Sequence, residues 1–274
     1  MFFCEVCLCT RNFLGKQKGK ALKLFLGRLK EKQNPVLKGG KYVYKLSPSI
    51  AHRFLNCTAS LRHELPFEEN EYSRRGKFLH EIAGALAMCK PETVGESMSL
   101  LSSYEKNLVH SYANTVLTKA AELNAKPIIE RKQRIFLYGN EINLIIDAFI
   151  LSREKAIVID LKTGFSPVET KDNEQLYFYA YFAVSNFPNV NEIEVAIFQN
   201  LKYESEILTR GEVLNYFFEK HQIFEDINND NLKYTPHPKA CKYCAIRDTC
   251  SARLNSLINK DVSALREAFD ETEI

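Results

Sequence analysis

The run AIVIDLKTG, residues 156–164, constrains this chain more than any other stretch. Ala156, Ile157, Val158 and Ile159 are four consecutive apolar residues, and a strand with one wet face would alternate instead, so they read as a strand buried on both faces. It delivers Asp160 and Lys162 before Thr163-Gly164 breaks it. Side chains alternate with period two along a strand, which puts Asp160 and Lys162 on one face and turns Leu161 back into the core. A carboxylate and an ammonium at the end of a buried strand make a poor solvated salt bridge and a good beginning for a cation site. A second acid, Asp147, stands thirteen positions earlier within NLIIDAFIL, another apolar run. Ser152-Arg153-Glu154-Lys155 between the two runs reads as a turn, so they pair as an antiparallel hairpin on which Asp147 and Asp160 converge.

Two helical patterns flank this hairpin. Downstream, NEQLYFYAYFAVSNF places Gln175 and Tyr179 four apart on one helix face. Upstream, GKFLHEIAGALA places Gly76 four residues before His80, with Leu79, Ile82, Ala83 and Leu86 forming an apolar face. Taken singly, each feature has an ordinary reading: a sheet-edge ion pair, a packed histidine, a surface glutamine beside a core tyrosine. In the order Gly-x3-His, Asp, Asp-x-Lys, Gln-x3-Tyr, the chain resembles the RecB-like branch of the PD-(D/E)XK nuclease superfamily. The resemblance implies an α/β fold with a restriction-endonuclease-like core, a central mixed sheet flanked by helices, and a cysteine-clamped helical portion. It further implies magnesium or manganese held by His80, Asp147, Asp160 and the carbonyl of Leu161. Lys162 then orients the attacking water, and Gln175 and Tyr179 contact the substrate strand.

The second signal is CKYCAIRDTC, in which Cys241, Cys244 and Cys250 are spaced C-x2-C-x5-C. Three thiols in ten residues of an intracellular chain point to metal rather than disulfides. Three ligands leave a tetrahedral site one short. In the iron-sulfur members of the resembled branch the fourth cysteine lies far upstream, and Cys57 occupies that relative place. The resemblance thus implies a four-iron four-sulfur cluster on Cys57, Cys241, Cys244 and Cys250, with structural zinc as the rival occupant. Cys89, late in the His80 helix, reads as a small buried apolar residue.

Charge divides the chain. Residues 1–45 hold eleven Lys/Arg against two acids, whereas the whole chain carries a net charge of only +3. This basic arm contains an amphipathic pattern in Leu22, Phe25, Leu26 and Leu29, able to dock on the core, on nucleic acid or on a membrane surface. Its apolar stretch precedes its positive charges, the reverse of an export signal. Cys4, Cys7 and Cys9 within it read as incidental. The expected organisation is the arm at 1–45, the nuclease domain with its cysteine cluster at 46–252, and a helical tail at 253–274 built on Leu254, Leu257, Ile258, Val262, Leu265 and Phe269. Ser47-Pro48 should start a short helix reaching about Asn56, a polar linker should fill Pro66–Arg75, and a long helix should run from about Ser102 to Asn124. IIERKQRIFLY, EIEVAIFQN and KYESEILTR read as strands, and GEVLNYFFEKHQIFEDI as one helix.

The function expected is a metal-dependent deoxyribonuclease, an exonuclease on single-stranded or end-containing DNA in recombination, repair or phage DNA processing. No G-x4-G-K-[ST] occurs, so a helicase or recombination protein is the expected partner in trans, with DNA as substrate and no membrane. The expected location is the cytoplasm, or the host cytoplasm for a phage-encoded chain. The alternative is a catalytically idle DNA- or partner-binding protein with an iron-sulfur or zinc site.

Overall fold

The computed structural model describes residues 36–38, 41–63 and 69–259, with side chains from residue 44 onward. The basic arm up to residue 35, with its three cysteines and its expected amphipathic helix, lies outside the described residues, as do tail residues 260–274 with Val262, Leu265 and Phe269. Strands β1 (Val36–Lys38) and β2 (Lys41–Val43) pair as an antiparallel ribbon where the sequence shows only a basic arm. A 3-10 turn at Pro48–Ile50 leads into α1 (Ala51–Phe54), shorter than the helix expected to Asn56. Cys57 then sits at the N-cap of a second 3-10 turn, Thr58–Arg62.

Helix α2 (Glu71–Ala87) starts inside the stretch expected to be linker, because the Asn70 side chain accepts from the Ser73 N–H at 2.8 Å and caps it. After α3 (Gly95–Ser99), α4 (Ser103–Glu122) opens with a reciprocal capping box between Ser102 and Glu105. Cys89, just past α2, is half-buried in a left-handed conformation at φ 55°, so it is not the buried apolar residue expected.

Five strands form the central sheet in their order along the chain: β3 (Ile128–Leu137), β4 (Asn140–Leu151), β5 (Lys155–Lys162), β6 (Glu192–Gln199) and β7 (Lys202–Thr209). All neighbours are antiparallel except β5 and β6, whose parallel pairing requires the crossover helix α5 (Glu174–Asn186). The mixed α/β class and the helix-flanked central sheet are therefore as expected. The run 156–161 is buried throughout. Val158 packs with Phe54, Phe178, Val195 and Ile197 on one side of the sheet. Ile157, Ile159 and Leu161 pack with Leu79, Ile82, Val109 and Val116 from α2 and α4 on the other. Each large apolar side chain buried this way stabilises the fold by about 1.5–3 kcal/mol, so two-sided burial fixes β5 firmly.

The helix expected over residues 211–227 is two: α6 (Arg210–Glu219) and α7 (His221–Asn228). The His221 ring N–H donates to the Phe218 carbonyl at 2.8 Å, a local bond that competes with continuing the helix. The short α8 (Pro238–Cys241) and a final helical stretch from residue 251 complete the described chain. Among the described residues no helix is long and apolar enough to cross a membrane.

Candidate active site

The antiparallel register pairs Ala148 with Ile159, which brings the next residues outward, Asp147 and Asp160, face to face. Asp147 Oδ2 accepts from the Leu161 N–H at 2.8 Å, so the strand backbone itself orients this carboxylate. Asp160 Oδ2 lies 2.7 Å from Lys162 Nζ, and Asp160 Oδ1 accepts from Gln175 Nε2 at 2.8 Å. Gln175 Oε1 accepts from the same ammonium at 3.0 Å, and its Nε2 also donates to the Tyr179 hydroxyl at 2.7 Å. Tyr179 in turn donates to the Ile145 carbonyl at 2.9 Å. Asp160, Lys162, Gln175 and Tyr179 thus form one chain of hydrogen bonds, and a carboxylate with several partners is held in one rotamer. Tyr179, expected to contact the substrate strand, is buried, and its hydroxyl is engaged by the Ile145 carbonyl and by Gln175.

His80 reaches the carboxylates from α2. Its Nδ1 lies 3.4 Å from Asp147 Oδ1 and 3.5 Å from Glu130 Oε1. His80, Glu130 and Asp147 each offer a donor atom within 4.8 Å of the others, the one such trio of potential metal ligands among the described residues. Glu130 is a residue the sequence reading missed. Gly76 earns its place one turn before His80 because a Cβ there would sit 3.1 Å from Thr163 Oγ1 at the exit of β5.

Asp147 also marks a change of face. Ile142, Leu144 and Ile146 pack into one core layer, yet Ala148 and Ile150, of the same parity, pack into the other. The β3–β4 ladder pairs Ile129 with Ala148 and Arg131 with Ile146, skipping Glu130 opposite Asp147. Glu130 has φ 50°, and a left-handed residue in a strand produces the local twist that such a switch requires.

The four predicted cysteines also come together. Cys57, Cys241, Cys244 and Cys250 line one pocket although 183 residues separate the first two in sequence. Backbone bonds lace the two segments: Ala59 N–H to the Lys233 carbonyl at 3.1 Å, Lys233 N–H to Thr58 Oγ1 at 2.7 Å, and Ala245 N–H to the His63 carbonyl at 3.2 Å. Buried Arg53 donates to the Ser60 carbonyl at 2.8 Å and braces the Cys57 turn from within. Burial pushes the Cys57 thiol pKa up, and backbone N–H groups of Thr235 and Ser60 partly offset it.

Residues 44–272 match a family model described as a protein of unknown function, DUF2800. The chain belongs to this family. The matched span takes in every predicted site residue, from Cys57 to Cys250. No curated protein matches the chain. Among solved structures, a candidate exonuclease from Eubacterium rectale is 9% identical, with 77% of this chain and 87% of that chain covered at a TM-score of 0.40. The protein SSO0001 is 18% identical over 65% of this chain and 94% of that chain, with a TM-score of 0.35. Scores of this size leave the chemistry to be argued from this chain's own side chains.

The carboxylate centre crowds acidic groups against one another and against His80. Burial raises the pKa of Asp160, the Lys162 ammonium opposes it, and the Asp147 charge adds to the rise. Burial works against a charged His80, but the carboxylates of Asp147 and Glu130 outweigh it and hold its pKa up at about 10. Crowded carboxylates therefore recruit protons here, and a divalent ion is the alternative way to satisfy them. Oxygen donors with one imidazole fit magnesium or manganese.

Proposed function

We propose that the chain is a metal-dependent nuclease that hydrolyses phosphodiester bonds in DNA. The observation that carries this reading is the convergence of Asp147 and Asp160 on neighbouring strands, with Lys162 ion-paired to Asp160 at the same face. His80, Asp147, Asp160 and the Leu161 carbonyl are the residues that would hold the ion. A magnesium or manganese ion there supplies Lewis-acid polarisation of the scissile phosphate and a water of lowered pKa. Lys162, fixed between Asp160 and Gln175, places a positive charge where the phosphate's negative charge develops. Gln175 keeps that lysine and Asp160 in register, and Tyr179 keeps Gln175 in place.

The approach to the site favours an unpaired strand. Phe165, three residues past Lys162, is 78% exposed, and its ring stacks on Tyr104 at 6.2 Å between centroids. Its loop is held by Gln199, whose Nε2 donates to the carbonyls of Gly164 and Ser166 at 2.6 and 2.8 Å. An aromatic ring on a fixed loop beside a phosphate-directed centre suits the stacking of a splayed base. On this reading the substrate is single-stranded or end-containing DNA, and the activity is exonucleolytic, serving recombination, repair or phage DNA processing. A helicase or recombination protein in trans would supply such strands.

For the cysteines, the reading is a four-iron four-sulfur cluster. Tetrahedral zinc, with Zn–S bonds of about 2.3 Å, draws its sulfurs to within about 3.8 Å of one another. Cys57, Cys241, Cys244 and Cys250 line one pocket and supply the four thiolates such a cluster takes, with tetrahedral zinc as the rival occupant.

The test is digestion of end-labelled single- and double-stranded DNA with manganese, with chelator, and with the Asp160→Asn variant. Cleavage that requires the ion and Asp160 supports the reading. Cleavage that survives both would remove it.

A further inference from the structure

Glu130 holds a left-handed backbone conformation, φ 50°, in the middle of a strand, where a residue with a Cβ gives up free energy. Its neighbours Ile129 and Arg131 keep the ladder with β4, so the departure is confined to the one residue facing Asp147. What that conformation achieves is to bring a carboxylate within 3.5 Å of His80 Nδ1, on the edge of a centre that already contains Asp147 and Asp160. A third acid beside Asp147 and Asp160 is costly unless positive charge meets it: without an ion the His80 imidazolium does so for Glu130 and Asp147, and a divalent cation would do so for all three acids.

An independent observation lies in the core layer that α4 packs against β4 and β5. Tyr112, in the middle of α4, is 2% exposed and packs edge-on against Phe198, with ring centroids 5.7 Å apart. Its hydroxyl is buried and has no hydrogen-bond partner among the described residues. Buried hydroxyls are almost always paired, so an orphan of this kind asks for an acceptor that completes it. Tyr112 packs in the same apolar layer as Ala148, Ile159 and Leu161, the chain neighbours of Asp147 and Asp160, so it lies in the core against the strands that carry these carboxylates; burial and then their charges raise its pKa.

We infer that Glu130 is a ligand of the cation alongside His80, Asp147 and Asp160, and that the Tyr112 hydroxyl donates to a water on the cation's buried side. The inference rests on the cation site proposed above. It assigns the local strain of β3 to ion binding, and makes the centre more negative than the sequence motifs alone provide. Such an oxygen-rich set with one imidazole is suited to a divalent ion of the manganese type.

The experiment is calorimetric titration of the full chain with manganese chloride, paired with thermal melting in the presence and absence of the ion. Parent, Glu130→Gln, Tyr112→Phe and Asp147→Asn are compared. Glu130→Gln keeps the side-chain shape and removes the charge; Tyr112→Phe keeps the ring and removes the orphan hydroxyl. The expected result is manganese affinity lower by at least about 10-fold in Glu130→Gln and by about 10-fold in Tyr112→Phe. Ion-free Tyr112→Phe should melt at or above the parent temperature, since it buries one fewer unpaired hydroxyl. Parent-like affinity in both variants, with Asp147→Asn impaired, would overturn the inference and leave the cation site standing. Glu130→Gln that melts lower without the ion yet binds manganese as the parent does would make Glu130 the counterion of His80 instead, which also overturns it. No binding by the parent would remove the cation site and the inference together.

Discussion

The carboxylate centre and the cysteine pocket are built by opposite means. Asp147, Asp160 and Lys162 project from the middle of a five-stranded sheet, and Gln175 from the thirteen-residue helix that connects two of its strands. Each is held by at least one side-chain bond before any ion arrives. The cysteines, in contrast, sit on turns, at the end of a four-residue helix and at the start of the final helical stretch, on segments far apart in the chain. A few hydrogen bonds, two between backbones and one from the Lys233 N–H to Thr58 Oγ1, hold those segments together. The sheet can keep its geometry unaided, whereas the pocket gains much of its cohesion from whatever its thiols hold. One ion pair joins the two regions, Lys239 Nζ to Glu174 Oε1 at 2.8 Å, linking the residue two before Cys241 to the residue before Gln175.

This contrast can be broken most directly by Asp160→Asn. Cleavage should fall by about a thousandfold or more, corresponding to the several kcal/mol an ion contributes to charge stabilisation. The melting temperature of the ion-free protein should hold or rise, because the variant removes a buried carboxylate whose pKa burial already raises. A lower melting temperature would show that the centre supports the fold after all.

Cys57→Ala should do the reverse. It should bleach an anaerobically purified brown protein as fully as Cys244→Ala does and lower the melting temperature by several degrees, with Cys4→Ala as the silent control. A colourless parent containing stoichiometric zinc would keep the four-thiol site and exchange its occupant. Parent-like colour and melting in Cys57→Ala would remove that residue from the set.

Proton linkage sharpens the comparison next. His80 has its folded pKa at about 10, above its ordinary value of about 6.5. In the ion-free protein the stabilisation it contributes is fully present below pH about 6.5 and is lost as the pH rises through about 10. An ion that takes His80 as ligand must displace this proton, so manganese affinity should increase between pH 6.5 and 8.5, by up to about tenfold per unit. A flat calorimetric profile across that range would leave His80 protonated and outside the ligand set. The smallest effect belongs to Phe165→Ala, which should weaken binding of a short single strand by about 1 kcal/mol in a fluorescence titration while leaving melting and metal affinity unchanged.

What could be read from the sequence follows the same division. The strand at 156–161 announced itself because burial on both faces demands an unbroken apolar run, and the hairpin with Asp147 followed from the turn between the runs. Glu130 stayed hidden for a physical reason. In IIERKQRIFLY it occupies an ordinary polar position, and its meaning depends on a register with β4 and a backbone angle that no local pattern encodes. Tyr112 falls within the long helix expected from about Ser102 to Asn124, but that its hydroxyl finds no partner among the described residues depends on how the neighbouring elements pack against it. The break at Lys220 was missed because Val213, Phe217, Phe224 and Ile227 keep a helical spacing across it. Cys57 was placed through family resemblance, since nothing in the 183 intervening residues says that the chain returns there.

That return sets an order of assembly during synthesis. The carboxylate centre and its supporting network are complete in sequence once Tyr179 has left the ribosome, and the sheet beneath them closes with β7 at Thr209. The pocket, however, waits with Cys57 exposed until Cys250 emerges, so for most of translation a single thiol stands without its three companions. Domains fold broadly from the N-terminal side as they are made. A nascent chain that has emerged past Thr209 but not yet to Cys241 should therefore have its carboxylate centre assembled while one pocket thiol alone is outside, so on the proposed reading the cluster would be the last part installed.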